Sequence, residues 1–365
     1  MKNTFGNSIA LTLFGESHGA AVGAVLDGLA PGIPVGEEEI RNLLERRRPA
    51  SRLDTARREQ DEYSIVSGVW NGKTTGTPLT ILIPNRDTRS GDYHYGTARP
   101  SHADYTAFCK YHGYEDYRGG GHFSGRVTAA LVAAGGIPIP ALREKGIRIG
   151  THILRCGTVE DRSFNNPEED CSLLEKRQFP TLDPDVGAKM QESILKAAEN
   201  GDSVGGCTQT VLAGLPAGIG EPWFDSAEGV LSHALFSIGG IKGIEFGLGF
   251  GFAGKTGSEA NDPFRIRDGR IVTAKNDSGG INGGIANGMP VVFQCAVRPT
   301  PSIRTAQDTV DFIRWEETEL RIEGRHDPAI IRRICPVIDS VTALASADLL
   351  AVRYGTDWLA GERAE

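Results

Sequence analysis

Apolar residues recur at helical spacing over 36–48, 125–143, 186–199, 226–237, 307–322 and 337–350, and the pattern predicts helices there. β-Branched or alternating runs predict strands over 63–69, 79–83, 147–154, 207–213 and 290–297. These elements mix without a regular strand–helix alternation, so the expected class is α+β in packed layers. Segment 155–185, polar and proline-bearing, reads as a long surface loop between two halves.

The chain also repeats itself. "VLDGLAPGIP" at 25–34 returns as "VLAGLPAGIG" at 211–220. Each copy follows a small-residue strand, "GAAVGAV" or "GGCTQTV", and precedes a helical segment, "EEEIRNLLERRR" or "SAEGVLSHALFSI". An offset of about half the chain is what two fused, similar units produce. One domain over 1–365, with repeats near 1–150 and 190–350, is therefore expected.

Composition narrows the function. A formal net charge of −8 argues against non-specific binding to nucleic acid. The six cysteines are scattered without a C-x-x-C pair, as reduced thiols of a cytoplasmic protein would be. The N-terminal apolar run "IALTLF" is too short for a signal peptide or a membrane span. The 47 glycines exceed the usual share and sit beside Val, Ile, Leu and Phe, so they read as turns and close contacts inside a folded body.

Five stretches could carry chemistry. "YRGGGHFSGR", 117–126, sets three glycines between two arginines, but it has neither the G-x-x-x-x-G-K-[ST] of a phosphate loop nor the G-x-G-x-x-G of a dinucleotide fold. "RNLLERRRPASRLDTARR", 41–58, holds seven arginines: a solvated helix end, or guanidinium forks gathered for a small polyanion. "FGESHG", 14–19, is either an ordinary surface turn or a general acid, His18, beside a hydroxyl, and it does not match the G-x-S-x-G hydrolase elbow. "RPSHADY", 99–105, adds His102 near Asp104. Near the end, Val337, Val341, Leu344, Ala345 and Asp348 share one helical face, and a carboxylate on such a stripe is costly unless it is solvated, partnered or functional.

Together "FGESHG", "RRRP", "RPSHADY", "YRGGG", "SIGGIKGIEFG", "GGINGGI" and "GRHDP" resemble, in order, the motif series of the chorismate synthase family. The resemblance implies an internally duplicated sandwich with helices packed between two antiparallel sheets. It implies 1,4-elimination of phosphate from 5-enolpyruvylshikimate 3-phosphate to give chorismate, with reduced FMN required although no net oxidation occurs. A cytoplasmic homotetramer is implied, served by an external flavin reductase that draws on NADPH, without a metal, nucleic-acid or membrane partner.

By the same resemblance His18 protonates the leaving phosphate with Ser17 assisting, His102 protonates or stabilises the reduced flavin, and Asp348 helps accept the ring proton. Arg47, Arg52, Arg126 and Arg333 meet substrate anions. His122, Phe123, Ser124, Gly239, Gly240, Gly283, Arg298, Pro299, Thr300, Pro301, Ser302 and Arg325 contact the flavin. The chain departs from the family's commonest pattern in reading His122-Phe123-Ser124-Gly125-Arg126-Val127 where R-S-S-A-R-E is usual, in "SIGG" for S-I-N-[AG], and in Arg298 where lysine is common. Two other classes remain as rivals: a phosphotransferase using the glycine run on ATP, and a module binding RNA or another polyanion through 41–58.

Overall fold

The computed structural model describes residues 2–49, 53–54, 60–86, 95–322 and 327–360. One antiparallel sheet contains β1 (Thr4–Phe5), β2 (Ala10–Gly15), β3 (Ala21–Asp27), β4 (Ser64–Ser67) and β7 (Leu79–Pro84), in the spatial order β1-β2-β3-β7-β4. A second contains β8 (Arg148–Cys156), β9 (Val159–Glu160), β10 (Gly206–Ala213), β11 (Ile241–Phe246) and β16 (Val291–Val297), in the order β9-β8-β10-β16-β11. Two-stranded hairpins pair β5 (Val69–Trp70) with β6 (Lys73–Thr74), β12 (Phe264–Arg267) with β13 (Arg270–Thr273), β14 (Ile281–Asn282) with β15 (Ile285–Ala286), and β17 (Gln307–Asp311) with β18 (Glu316–Leu320). The helices are α1 (Glu37–Arg47), α2 (Asp104–Tyr111), α3 (Thr128–Gly135), α4 (Pro138–Glu144), α5 (Pro167–Leu174), α6 (Pro184–Glu199), α7 (Ala227–Phe236), α8 (Gly257–Ala260) and α9 (Ile331–Tyr354).

Helices fill the space between the sheets. The register Val22↔Ile83, Ala24↔Ile81 and Leu26↔Leu79 turns an apolar face of β3 and β7 inward, and α3 packs on it. On the other side α9 packs on β8 and β10 and touches α1, α3 and α7. Every residue of α9 from Ile334 to Ala351 is buried, so the apolar face read from the sequence is part of a helix enclosed all round. A Cβ on Gly135 would stand 2.6 Å from Ser340 Cα, so glycine there sets how closely α3 and α9 approach. The run Gly125–Glu144 and the helix Ile331–Tyr354 are long and apolar enough to cross a membrane, yet both lie mostly inside this core.

The two sheets follow one plan. Along the chain β2, β3, α1, β4 and β7 are followed by α3, while β8, β10, α7, β11 and β16 are followed by α9. The duplicated decapeptides end the central strands β3 and β10 and lead into α1 and α7. Gly28 (φ +85°) and Gly214 (φ +81°) occupy matching places in them, and a Cβ on either would overlap a backbone carbonyl oxygen, of Ser8 or of Gly146. The second set of strands begins at Arg148 rather than near 190, because β9, α5 and α6 are inserted between β8 and β10.

Four expectations about elements need correction. The helix expected over 307–322 is the hairpin β17–β18. Asp311 Oδ1 accepts from the backbone N–H groups of Ile313 and Arg314 (2.9 Å each), and Trp315 takes φ +59°, so the chain reverses where apolar spacing suggested a helical face. The helix expected over 125–143 is broken after Gly135 and restarts at Pro138, which has no N–H to continue a ladder. The strand expected over 63–69 is interrupted at Gly68 (φ +82°). The segment 155–185 is no plain loop: it holds β9 and α5, the latter started by Asn166, whose side chain accepts from Glu168 N.

Gly28→Ala and Gly214→Ala should each lower unfolding stability by about 2 kcal/mol or more, since a side chain there meets both left-handed strain and backbone overlap. Chemical denaturation measures this, and a loss below about 0.5 kcal/mol at either position would contradict the matched roles.

Candidate active site

Gly119, Gly120 and Gly121 take φ values of +61°, +85° and +53°, the left-handed region that only glycine enters without strain. The turn that follows β2 is fastened to this run. Ser17 N donates to Gly121 O (3.1 Å), and the Ser17 hydroxyl lies 3.2 Å from Arg118 O and 3.1 Å from Gly119 O, both acceptors. From the far side Asn85, just past β7, donates through Nδ2 to Glu16 O (2.8 Å) and Gly19 O (2.9 Å). His18 is thereby pressed onto the glycines: a Cβ on Gly119 would stand 2.5 Å from His18 Nε2. One residue on, a Cβ on Gly120 would stand 3.3 Å from His102 Cε1. The two histidines, 84 positions apart in sequence, thus lie against consecutive residues of one bare backbone segment.

His102 sits in a turn closed by Arg99 and Asp104. Arg99 donates from Nε to Asp104 Oδ2 (2.8 Å) and from Nη2 to Asp104 Oδ1 (2.6 Å), while Nη2 also stands 3.1 Å from His102 Nδ1. A guanidinium can only donate, so neutral His102 accepts at Nδ1 and carries its proton on Nε2. The imidazolium would instead donate from Nδ1 to Asp104 Oδ1, 3.4 Å away. Burial works to raise the Asp104 carboxyl, but hydrogen bonds from Arg99, joined by His102 when its ring is charged, outweigh it and hold the group well below the carboxylate range. Near His18, Asp116 is also held low, by its hydrogen bonds from Arg118.

The second half of the chain reaches the same place. Arg298, following β16, donates to the carbonyl of Ser101, a non-glycine residue at φ +57°, and its own N–H donates to Gly240 O (2.9 Å). Thr300 O accepts from the Ser203 hydroxyl (2.7 Å), which fixes the 298–302 stretch against β10's approach. Among the described residues a Cβ on Gly239 would meet nothing within 4 Å, so open space adjoins bare backbone there. Phe123, just past the glycine run, is 45% exposed and edge-on to Tyr111, and Ser124 caps the next helical turn by accepting from Arg126 N (3.3 Å).

Past that turn lies a buried arginine cluster. Arg47, at the end of α1, donates from Nε to Thr128 Oγ1 (2.9 Å), from Nη1 to Asp61 Oδ2 (2.8 Å) and from Nη2 to Gly125 O (2.8 Å). Arg126 donates from Nε to Asn85 Oδ1 (2.9 Å), from Nη2 to Pro84 O (3.0 Å) and from Nη1 to Asp61 Oδ1. Arg333 donates from Nε to Arg47 O (2.8 Å) and pairs with Asp327. Its neighbour Arg332 donates to the carbonyls of Arg46 and Arg48, so two cations close the negative end of α1. Burial pushes the Arg47 guanidinium down to about 10, with Asp61 pulling the other way, and it stays charged at neutral pH. Among the described residues, Asp61 is shared by Arg47 and Arg126, and Asp327 pairs with Arg333.

Not every expected residue joins this group. Asp348 accepts from the backbone N–H groups of Asn7 (3.0 and 2.9 Å), Ser8 (2.7 Å) and Ile9 (2.8 Å), at the opposite end of β2 from the His18 turn. Six strand residues separate those ends by about 20 Å, and Asp348 lies roughly 22 Å along α9 from Arg333. It anchors the first strand to the core helix, away from both imidazoles. Gly283 sits near the start of α7, where Gly284 O accepts from Ala227 N, whereas Gly239 and Gly240 follow that helix's other end. His122, by contrast, stays beside the group: its Nδ1 bonds Gly15 O (2.8 Å), where β2 leads into the His18 turn. Arg52 and Arg325 lie outside the described residues. Sequence reasoning missed Asp61, Asn85 and Arg99, which contact the expected residues.

A family model described as "Chorismate synthase" matches residues 9–351. The chorismate synthase of Thermococcus gammatolerans is 48% identical over 95% of this chain and 97% of its own length, and that of Methanosarcina barkeri is 44% identical over 95% of each. A crystal structure of chorismate synthase superposes with a TM-score of 0.75 at 29% identity, covering 96% of this chain and 94% of that one. Fold and comparisons together define a carbon–oxygen lyase of aromatic amino-acid biosynthesis. The chain belongs to the chorismate synthase family, whose members act on 5-enolpyruvylshikimate 3-phosphate in the shikimate pathway and depend on reduced flavin.

Asp348→Asn should lower unfolding stability by roughly 2 kcal/mol, through loss of charged hydrogen bonds to three backbone donors, and change turnover by less than about threefold. An unchanged denaturation midpoint together with a turnover loss above about tenfold would return this carboxylate to the chemistry.

Proposed function

We propose that the chain, as one catalytic domain built from two repeats, eliminates phosphate from 5-enolpyruvylshikimate 3-phosphate between the two imidazoles that rest on Gly119 and Gly120. That juxtaposition carries the reading. Arg47, Arg126 and Arg333 neutralise the substrate's carboxylates and phosphate, and no metal is needed in that role. His18 Nε2 gives a proton to the departing phosphate, while Ser17 holds the ring's turn against the glycine run. His102, with its proton on Nε2 in the neutral state, would hold or return a proton at Nε2 beside a bound flavin, with Arg99 and Asp104 alternately satisfying Nδ1.

The residues present fit a flavin. The open space beside Gly239 and the exposed ring of Phe123 leave room for a planar ring system to approach. Phe123, Ser124, Gly239, Gly240 and the stretch Arg298–Ser302 would hold it. When bound, reduced FMN supplies electron density that helps expel phosphate and regains it as the ring hydrogen leaves, so no net oxidation results. The poor acidity of that hydrogen is the reason side chains alone face a high barrier. A separate reductase drawing on NADPH supplies the reduced flavin, and the working assembly is a cytoplasmic homotetramer.

Under anaerobic conditions the protein with dithionite-reduced FMN should release phosphate from the substrate, and with oxidised FMN alone it should not. His102→Ala should slow release roughly 10- to 10,000-fold, the scale of a positioned acid–base group. A variant as fast as the parent removes His102 from the chemistry.

A further inference from the structure

Asp61 has no place in the roles above, yet it is the point where the two buried arginines meet. Its carboxylate is 4% exposed, and the two guanidiniums that it joins are 5% exposed. One oxygen takes Arg47 Nη1 and the other takes Arg126 Nη1. Left alone, the two cations would repel, and the charges of Arg333 and Arg126 both oppose that of Arg47. Each guanidinium is also fastened at Nε and Nη2 to groups from other elements: Thr128 and Gly125 for Arg47, Asn85 and Pro84 for Arg126. With Asp61 as the third point neither planar fork can turn. The same Asn85 binds the His18 turn, so the orientation set at Asp61 is continuous with the imidazole that faces the leaving group.

We propose that Asp61 is a positioning residue for substrate binding, holding Arg47 and Arg126 as one rigid pair oriented for the anionic ligand. This rests on the reading that both arginines meet substrate. The proposal makes a prediction opposite in sign to simple electrostatics. Removing a negative charge from an anion site strengthens the positive field and should tighten binding. Removing a positioning group should weaken it, because the freed guanidiniums must be ordered again by the ligand.

The experiment is calorimetric titration of 5-enolpyruvylshikimate 3-phosphate into the full-length protein with oxidised FMN, which does not support turnover, beside a thermal melt of each variant. Asp61→Asn is used because it keeps side-chain volume: Asp61 also lines a groove of about 830 Å³ beside α1, which a smaller residue would open. The Kd should rise roughly 10- to 100-fold. Asp170→Asn, which removes a similarly buried carboxylate from a different arginine, Arg162, should lower the melting midpoint and leave the Kd unchanged. If Asp61→Asn does not fold, Asp61→Glu decides, since it keeps the charge but displaces it by one methylene and should still weaken binding several-fold. Arg47→Lys and Arg126→Lys are measured in parallel. If both bind substrate as the parent does, the assignment of the arginines fails first. If they bind weakly while Asp61→Asn binds as well as or better than the parent, or Asp61→Glu matches it where Asn cannot be tested, the positioning role is overturned.

Discussion

The site depends on the absence of side chains at three consecutive positions. Gly119, Gly120 and Gly121 all adopt positive φ; the space that Cβ atoms on Gly119 and Gly121 would fill holds the His18 ring and the carbonyl of Asp116, and a Cβ on Gly120 would press on the edge of His102. A left-handed non-glycine residue carries strain of about 1–3 kcal/mol, and overlap with an imidazole would add to it. Two proton-carrying rings from distant parts of the chain can therefore share a ligand only because this backbone is bare. Ser17, whose N–H and hydroxyl both bond the run, fixes the spacing between run and ring.

Around that contact the fold buries charge in pairs. Arg47 and Arg126 share Asp61, Arg332 pairs with Asp54, and Arg46 reaches Asp339, all near the meeting of α1 with α9. Such pairs contribute little net stability, since desolvation offsets most of their attraction, but removing one member leaves a buried charge at a cost of about 3–5 kcal/mol. They lock the C-terminal end of α1, and with it Arg47, to the start of α9. The duplicated sandwich supplies the rest: α3 and α9 meet at Gly135 and Ser340 between the sheets, while Gly240, Arg298 and Ser101 join the halves at the site.

Much of this was legible in the sequence because it was written in local signals. Central strands, core helices and the duplicated decapeptide follow from hydrophobic period and from glycines at turns that other residues enter only with strain. The hairpin β17–β18 was not legible, because its reversal rests on Asp311 capping its own turn and on a left-handed tryptophan, neither of which alters an apolar count. Asp348 looked functional for a sound reason, a carboxylate in an apolar helix, but its partners are three backbone N–H groups some 340 residues away, which no spacing rule reveals. Asp61 was overlooked for the converse reason. In "QDEYS" it stands beside another acid in polar sequence, and only the fold shows which of the two lies between arginines.

The most direct test is a crystal structure of the protein with 5-enolpyruvylshikimate 3-phosphate and oxidised FMN bound together. The account predicts both ligands over Gly119–Gly121, with His18 Nε2 within about 3.2 Å of an oxygen on the phosphate-bearing side and His102 within the same reach of the flavin. Ligands bound elsewhere, or either imidazole turned away from the shared pair, would contradict it.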